Sequence, residues 1–335
     1  MHLHFGSTAA AMITPFHPDG SLDTEGAQSL AVRLVDQGCD GLVLSGTTGE
    51  SPTTSDAEKD ALLRAVLEAV GDRARITAGV GSSDTRHSVQ SARAAERAGA
   101  HGLLMVTPYY NRPGQEGIRR HFTAVADATA LPVMLYDHPE RTGSRLSRET
   151  LLRLAEHPRI VAVKDATADL AAGAHIMART DLHYYSGIDE LNLPLYALGA
   201  VGAVSTVANL APGETRAVLR AHRDGDPATA LRLDRRLRPL VEAVMTPAPG
   251  TVTTKALLNH QGLPAGPVRP PLLDADPALT AALVAALTDA LGDEPAQERV
   301  EPLQRTTSTA ATATATATAR KPASMEPVSA AADPA

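Results

Sequence analysis

Short apolar segments alternate with amphipathic segments eight times along the first 225 residues, and this alternation constrains the fold more than any other feature. The apolar segments, among them "GLVLS", "GLLMV" and "IVAVK", are almost continuously hydrophobic, as expected of parallel strands buried on both faces. The segments between them have helical spacing of their apolar residues. Eight such units predict a (β/α)₈ TIM barrel over residues 1–225. The absence of a GxGxxG motif after the first strand disfavours an open dinucleotide-binding sheet.

The rest of the chain divides into two parts of different composition. Residues 226–292 contain three more amphipathic segments, which predict a C-terminal helical region appended to the barrel. Residues 293–335 are rich in Ala, Thr, Ser and Pro and offer little bulk to bury. Because such a segment cannot offset the entropy lost on ordering, we expect a disordered Ala/Thr-rich tail.

Composition excludes several classes of function. The net charge is −7, with 31 basic and 38 acidic residues, so no nucleic-acid partner is expected. No apolar run is long enough to span a membrane, and the N-terminus does not resemble a signal peptide, so we expect a cytoplasmic protein with no membrane contact. The single cysteine, Cys39, is interpreted as a small buried side chain. The twelve histidines are scattered without a carboxylate cluster, so no metal site is predicted.

Polar side chains follow the predicted strands on one side of the barrel. Active sites of TIM barrels lie at the carboxyl ends of their strands, so residues just past each strand are the natural candidates. The sequence places there a hydroxyl-rich turn, two tyrosines, an arginine, a lysine and a glycine: Thr47, Thr48, Tyr110, Tyr136, Arg141, Lys164 and Gly187. Each has an ordinary structural explanation as a cap, a packing wedge or a surface charge. Their joint occurrence on one rim favours an active site.

Lys164 ends the sixth apolar segment in a chain that otherwise prefers arginine. There are only four lysines among the 31 basic residues, so this lysine calls for a structural or chemical reason. Burial disfavours the charged form of an amine, and a neutral amine attacks ketones. Attack on a 2-oxo acid would give a protonated imine, which acts as an electron sink. Tyrosine and threonine hydroxyls would relay protons, a Gly-Thr-Thr-Gly turn would bind the carboxylate, and Arg141 would bind a second carboxylate.

Six motifs carry a resemblance that spans about residues 8–291: "GTTGESPT", "VTPYYNRP", "LYDHPERTG", "VAVKDA", "YYSG" and "VRPPLL". In order and spacing they closely resemble the dihydrodipicolinate synthase / N-acetylneuraminate lyase family of class I aldolase-type barrels, and they fit the synthase branch best. The resemblance implies a homotetramer, built as a dimer of dimers, with pyruvate and aspartate-4-semialdehyde as substrates. The implied product is 4-hydroxy-tetrahydrodipicolinate, on the route to diaminopimelate and lysine. It also implies no cofactor, because the substrate forms a covalent imine on Lys164.

The resemblance assigns catalytic roles to four residues. Lys164 would form the Schiff base, and Tyr136 would be the acid/base hydroxyl. Thr47 and Tyr110 would complete the proton relay. In the family, the residue matching Tyr110 reaches into the site of the neighbouring subunit.

The remaining implied roles concern substrate binding. Thr47 and Thr48 would bind the pyruvate carboxylate, and Arg141 would bind the carboxylate of the aldehyde. Gly187 and the main chain of Val204 would line the pocket. The Thr-Thr pair together with Arg141 favours the synthase over the lyases of the family.

Three residues depart from the family pattern. His138 stands where Val or Ile is usual, Asp137 where Asn is common, and Ile188 where an acidic residue is common. We expect these departures to touch the second-substrate side. A pyruvate-dependent retro-aldol lyase for a sugar acid, such as N-acetylneuraminate or 2-keto-3-deoxygluconate, therefore remains the alternative, and a non-catalytic barrel is a third hypothesis.

A further departure concerns regulation. Lysine-inhibited relatives bind lysine at a tetramer interface through histidines, an Asn and a Glu. The matching positions here are Asp56, Lys59, Ser83 and His87, and only Tyr109 is kept. We expect weak or absent feedback by lysine, because Lys59 would repel a cationic ligand.

Overall fold

The computed structural model describes residues 3–292, and within them eight parallel strands close into a barrel in chain order. The strands, β1 to β8, are Thr8–Ala11, Gly41–Leu44, Arg75–Gly79, Gly102–Val106, Val133–Asp137, Ile160–Asp165, His183–Ser186 and Gly202–Ser205. The first and last strands pair with each other, which closes the sheet. The predicted (β/α)₈ barrel is therefore confirmed.

Helices surround the barrel and continue beyond it. The helices, α1 to α12, are Thr24–Asp36, Asp56–Val70, Thr85–Ala98, Gln115–Asp127, Pro139–Thr142, Arg148–Ala155, Leu170–Met177, Asn192–Leu198, Pro212–Arg223, Pro227–Met245, Gly250–His260 and Pro277–Leu291. The last three are the helices that the sequence predicts for the C-terminal region, which is thereby confirmed. The boundary between residues 225 and 226 stays a prediction. The predicted tail, residues 293–335, lies outside the described residues.

Side-chain caps fix the starts of many helices. Ser55 accepts a hydrogen bond from the Glu58 backbone N–H, and the Glu58 carboxylate accepts one from Ser55, which forms the capping box that the sequence predicts. Aspartate side chains cap α1, α3, α7, α10 and α12 in a similar way. A cap of this kind stabilises a helix by about 1 kcal/mol, so the caps define where the chain turns into each helix.

The first strand is shorter than the apolar run that contains it. The run extends to Phe16, but β1 ends at Ala11. The Asn209 side chain accepts a hydrogen bond from the Ile13 N–H at 3.1 Å and donates one to the Ala11 carbonyl at 2.8 Å. This buried amide takes the place of a strand neighbour, so the chain leaves the sheet without exposing its apolar residues.

Two layers of apolar side chains make up the core. The outer layer lies between the strands and the helices and includes side chains from the C-terminal helices, such as Leu240 and Leu258. The inner layer fills the barrel and includes Met134, Tyr136 and Val204. Successive strand residues point to opposite faces, so each strand contributes to both layers. Within residues 3–292 no helix is long and apolar enough to cross a membrane.

Candidate active site

Neighbouring strands place a lysine and a tyrosine side by side inside the barrel. Lys164 on β6 is the register partner of Tyr136 on β5, and both side chains point inward near the carboxyl ends of their strands. The lysine is 7% exposed, and its Nζ lies 4.2 Å from the centroid of the Tyr136 ring. The structure thus brings together the two residues that the sequence predicts as the centre of the site.

The environment of Lys164 favours the neutral amine. Burial lowers its pKa from 10.5 to about 8; the carboxylate of Asp189 opposes this shift, and the Arg141 charge adds to it. At pH 7 a pKa of 8 leaves about 10% of the amine neutral, against about 0.03% for an unperturbed lysine. The fraction able to attack a carbonyl therefore rises about 300-fold.

Tyr136 keeps its proton. Burial raises the pKa of its hydroxyl to about 12, although the Arg141 charge and a hydrogen bond with the Thr47 side chain oppose the shift. A protonated hydroxyl beside Lys164 can donate a proton to a leaving oxygen and take it back. The adjacent Thr48 hydroxyl lies 3.2 Å from that of Thr206, which links the turn after β2 to the turn after β8.

Gly187 leaves the space that the lysine side chain occupies. A Cβ atom at this position would lie 2.9 Å from Lys164 Cγ and 2.9 Å from the Asp165 carbonyl oxygen. Any other residue would therefore displace the lysine from its position beside Tyr136. Val204 on β8 belongs to the same inner layer as Tyr136, and the role of its main chain in lining the pocket stays a prediction.

Arg141 lies on the short helix α5, directly after β5. Its Nε donates a hydrogen bond to His138 Nε2 at 3.2 Å, while its side chain remains exposed. Burial, followed by the charges of Arg141 and Lys164, lowers the pKa of His138 to about 4, so this imidazole is a neutral acceptor at physiological pH. The departure at His138 thus contacts the guanidinium that is predicted to bind the second substrate.

The side chains of Ile188 and Asp137, the other two departures from the family pattern, point in different directions. Ile188 packs against the inner layer of the barrel, next to Gly187. The Asp137 side chain points to the outer face of β5 and accepts a hydrogen bond from the Leu146 N–H at 3.1 Å. The expectation that Asp137 touches the second substrate is therefore wrong, because strand alternation turns it away from Tyr136.

Tyr110 is not part of the site within one chain. Its side chain is 93% exposed, and its backbone adopts φ 68°, which is uncommon for a tyrosine. An exposed aromatic on a constrained turn suits contact with a second molecule. Its predicted role in a neighbouring subunit stays a prediction.

Asp189 supports the site, although its role does not emerge from the sequence. One carboxylate oxygen accepts hydrogen bonds from the backbone N–H groups of Thr206 at 2.9 Å and Val207 at 3.1 Å. The other accepts one from the Asn192 side chain at 3.1 Å. Asp189 therefore fixes the turn after β8 that carries Thr206 to Thr48. Its position two residues after Gly187, at the carboxyl end of β7, is the signal that could have identified it.

The C-terminal helical region contacts and fixes the turn that contains Thr47 and Thr48. The carboxylate of Glu50 forms an ion pair with Lys255 of α11 at 2.6 Å, and both side chains are at most 2% exposed. Glu50 also accepts the Arg269 N–H at 2.8 Å. At the start of α11, the Thr251 hydroxyl lies 3.5 Å from the Thr47 carbonyl oxygen. Lys255, another of the few lysines, could have been singled out for the same reason as Lys164.

Metal chemistry is not indicated by the described part of the chain. Among residues 3–292 no group of three or more His, Cys, Asp or Glu side chains is arranged to hold a metal ion. The rim itself presents an amine, hydroxyls and a guanidinium.

A (β/α)₈ barrel that carries a buried lysine of lowered pKa beside a protonated tyrosine has the constellation of the enzymes that form imines with carbonyl substrates. The chain matches the model of the dihydrodipicolinate synthetase family over residues 4–290, and it belongs to that family.

Similar proteins agree with this assignment. A relative from Streptomyces coelicolor, 4-hydroxy-tetrahydrodipicolinate synthase 1, is 60% identical over 290 residues, which cover 86% of this chain and 95% of the relative. A crystal structure of the enzyme from Cyanidioschyzon merolae with lysine bound matches with a TM-score of 0.84 and 38% identity, over 86% of this chain and 99% of that one. The chloride-inhibited enzyme from Acinetobacter baumannii, complexed with pyruvate, matches with a TM-score of 0.81 and 35% identity, over 85% of this chain and 99% of that one.

Proposed function

We propose that this protein is a lyase that condenses pyruvate with aspartate-4-semialdehyde to give 4-hydroxy-tetrahydrodipicolinate, through an imine on Lys164. The observation that carries the proposal is the buried amine of Lys164, 4.2 Å from the Tyr136 ring. The relatives support it: the most similar of those reported above is named for this activity, and the Acinetobacter baumannii enzyme was crystallised with pyruvate.

The first half of the reaction makes an enamine. The neutral amine attacks the carbonyl carbon of pyruvate, and a proton moves from nitrogen to oxygen through the Tyr136 hydroxyl. The carbinolamine then loses water, with Tyr136 as the proton donor, and forms the protonated imine. Removal of a proton from the methyl carbon sends its electron pair into the imine, so no further electron sink or cofactor is required.

The second half forms the carbon–carbon bond. The enamine carbon attacks the aldehyde carbon, and the developing alkoxide takes a proton from the relay of Tyr136 and Thr47. The amino group of the second substrate then displaces Lys164 from the imine carbon, which closes the ring and restores the free lysine. Tyr110 of a neighbouring subunit would connect this relay to solvent.

Two anchors would orient the substrates. The Thr47–Thr48 turn presents hydroxyl and backbone donors for the pyruvate carboxylate, and its link to Thr206 keeps the hydroxyls at the mouth of the barrel. The exposed guanidinium of Arg141 would bind the carboxylate of the aldehyde through bidentate hydrogen bonds.

We further propose that the enzyme is a cytoplasmic homotetramer, a dimer of dimers. The exposed Tyr110 supports an assembly, because a relay residue that is 93% exposed in one chain needs a partner to place it at a site.

The lowered pKa of Lys164 predicts the pH dependence of imine formation. The neutral fraction rises as the pH passes the pKa of about 8. At subsaturating pyruvate, the rate of imine trapping by cyanoborohydride should therefore increase about tenfold from pH 7 to pH 9 and then level off. A rate that still rises tenfold per pH unit above pH 9 would show that the lysine pKa is unshifted.

Arg141→Ala separates the synthase from the lyase alternative. Loss of a charge-assisted contact costs about 1.5–3 kcal/mol, so kcat/KM for aspartate-4-semialdehyde should fall roughly 10- to 150-fold. Pyruvate imine trapping should change little when measured at pH 9, where the effect of Arg141 on the Lys164 pKa matters least. Efficient cleavage of N-acetylneuraminate or 2-keto-3-deoxygluconate by the unaltered enzyme would favour the lyase instead.

Feedback by lysine should be weak or absent. Asp56 is already engaged by His87 at 2.9 Å, and Lys59, which is half-buried nearby, adds a positive charge. A cationic ligand would therefore meet repulsion and an occupied carboxylate. Steady-state assays should show no inhibition by sub-millimolar lysine, and Lys59→Ala should increase sensitivity. Strong inhibition of the unaltered enzyme would contradict this expectation.

A further inference from the structure

A cavity of about 300 Å³ lies on the outer side of β5, β6 and β7. Helices α6 and α7 cover it, and its lining includes Asp137, Asp165 and Tyr184. These residues alternate along their strands with Tyr136, Lys164 and Tyr185, which point into the barrel. The cavity is therefore separate from the active site, although both are built on the same three strands.

Two carboxylates stand side by side in this cavity. Asp137 and Asp165 are register partners on β5 and β6, and they are 2% and 5% exposed. Asp165 is fully engaged, because it accepts the Thr167 N–H at 2.7 Å and the Tyr184 hydroxyl. Asp137 uses only one oxygen, for the Leu146 N–H. Its Oδ1 is buried and has no hydrogen-bond partner among the described residues.

An unpaired carboxylate oxygen of this kind is costly unless something donates to it. Arg145, whose charge acts on this carboxylate, does not fill that role. Arg145 forms an ion pair with Asp169 at 2.7 Å, and both side chains are partly exposed. Burial, with the Asp165 charge adding to it, raises the pKa of Asp137 to about 7. Above pH 7 the interior of the cavity therefore holds a carboxylate with one unpaired oxygen, which a cationic hydrogen-bond donor would satisfy.

The rest of the lining indicates what kind of cation fits. Apart from Ser147, Arg148 and Thr167, aliphatic side chains form the walls: Leu146, Leu151, Val163, Ala172 and Ile176. The volume is at the lower end of small-molecule sites. An ammonium group supplies three donors for the carboxylate, and a short hydrocarbon chain matches the walls. The partly exposed Arg145–Asp169 pair contributes little to stability, so breaking it to admit a ligand would cost little.

We propose that this cavity is a second binding site, which takes a small aliphatic molecule with a primary ammonium group, bound by Asp137. Divalent metals fit less well, since the described residues contain no cluster of three metal-binding side chains.

The test is calorimetric titration of the full chain with n-butylammonium chloride at pH 8 and constant ionic strength. Saturable binding is expected. Ammonium chloride, which lacks the hydrocarbon chain, and n-butanol, which lacks the ammonium group, should bind much more weakly. Asp137→Asn should weaken butylammonium binding roughly tenfold or more, because the charge-assisted hydrogen bond is lost. The exposed Asp181→Asn is the matched control and should bind as the unaltered protein does.

Two further binding measurements test whether the ligand lies in this cavity. Ala172→Leu narrows the cavity while retaining Asp137, so it should also abolish binding if the hydrocarbon chain lies there. Saturating pyruvate should leave binding unchanged, because its site would be on the other face of β6. Equal binding by ammonium and butylammonium, binding that survives Asp137→Asn, or competition by pyruvate would each overturn the proposal. None of these results bears on imine formation at Lys164.

Discussion

Tyr136→Phe should lower kcat by about 10²- to 10⁴-fold, the usual contribution of a positioned acid/base group. The substitution keeps the ring that lies 4.2 Å from the Lys164 Nζ and removes only the hydroxyl that bonds to Thr47. Dehydration to the imine and protonation of the alkoxide would both lose their proton donor. Steady-state kinetics with both substrates measure the loss, and KM for pyruvate should change much less than kcat.

The matched control is Tyr185→Phe. Tyr185 is the register partner of Lys164 on β7, but its hydroxyl donates to the Gly6 carbonyl at 2.8 Å, away from Thr47. Its loss should cost about 1 kcal/mol of stability and leave kcat within a few-fold. A Tyr136→Phe enzyme that retains more than a tenth of kcat, or a Tyr185→Phe enzyme that loses as much as Tyr136→Phe, would remove Tyr136 from the proposed relay.

Lys255→Met should destabilise the protein by about 3–5 kcal/mol, because it leaves the Glu50 carboxylate buried and unpaired. The two side chains meet at 2.6 Å and are at most 2% exposed. Glu50 directly follows the turn that carries Thr47 and Thr48, so movement there should also raise KM for pyruvate. Denaturant titration gives the free energy of unfolding, and initial rates give KM.

The double variant Glu50→Gln/Lys255→Met tests whether the unpaired Glu50 carboxylate causes the loss of stability in Lys255→Met. Removing both charges of a buried pair is often close to neutral, so most of the lost stability should return. If the double variant is no more stable than Lys255→Met, the loss comes from packing around Lys255 and not from the stranded carboxylate. In that case the C-terminal helix does not hold the turn through this ion pair.

The barrel and the centre of its site follow from local patterns. Each strand is a short apolar run, and the carboxyl ends of parallel strands must share one rim, so Lys164 and Tyr136 could be placed together from the sequence. The extent of β1 could not, because its end depends on Asn209, which is distant in sequence. Local propensity carries no information about such a partner.

The supporting contacts of the site are of the same long-range kind. The ion pair of Glu50 with Lys255 joins the second βα turn to a C-terminal helix, and no spacing rule connects them. The direction of Asp137 is a different case: the alternation of β5 already determines it, since Tyr136 points inward. Tyr110 marks the limit of a single chain, because its predicted contacts are with a neighbouring subunit.

The central claim is that Lys164 forms an imine with pyruvate. The most direct measurement is borohydride reduction in the presence of pyruvate, followed by mass spectrometry of the intact protein and of its peptides. One reduced pyruvate adduct per chain should appear, on the peptide that contains Lys164, and Lys164→Arg should show none. No adduct, or an adduct on Lys59 or Lys255 that persists in Lys164→Arg, would contradict the account.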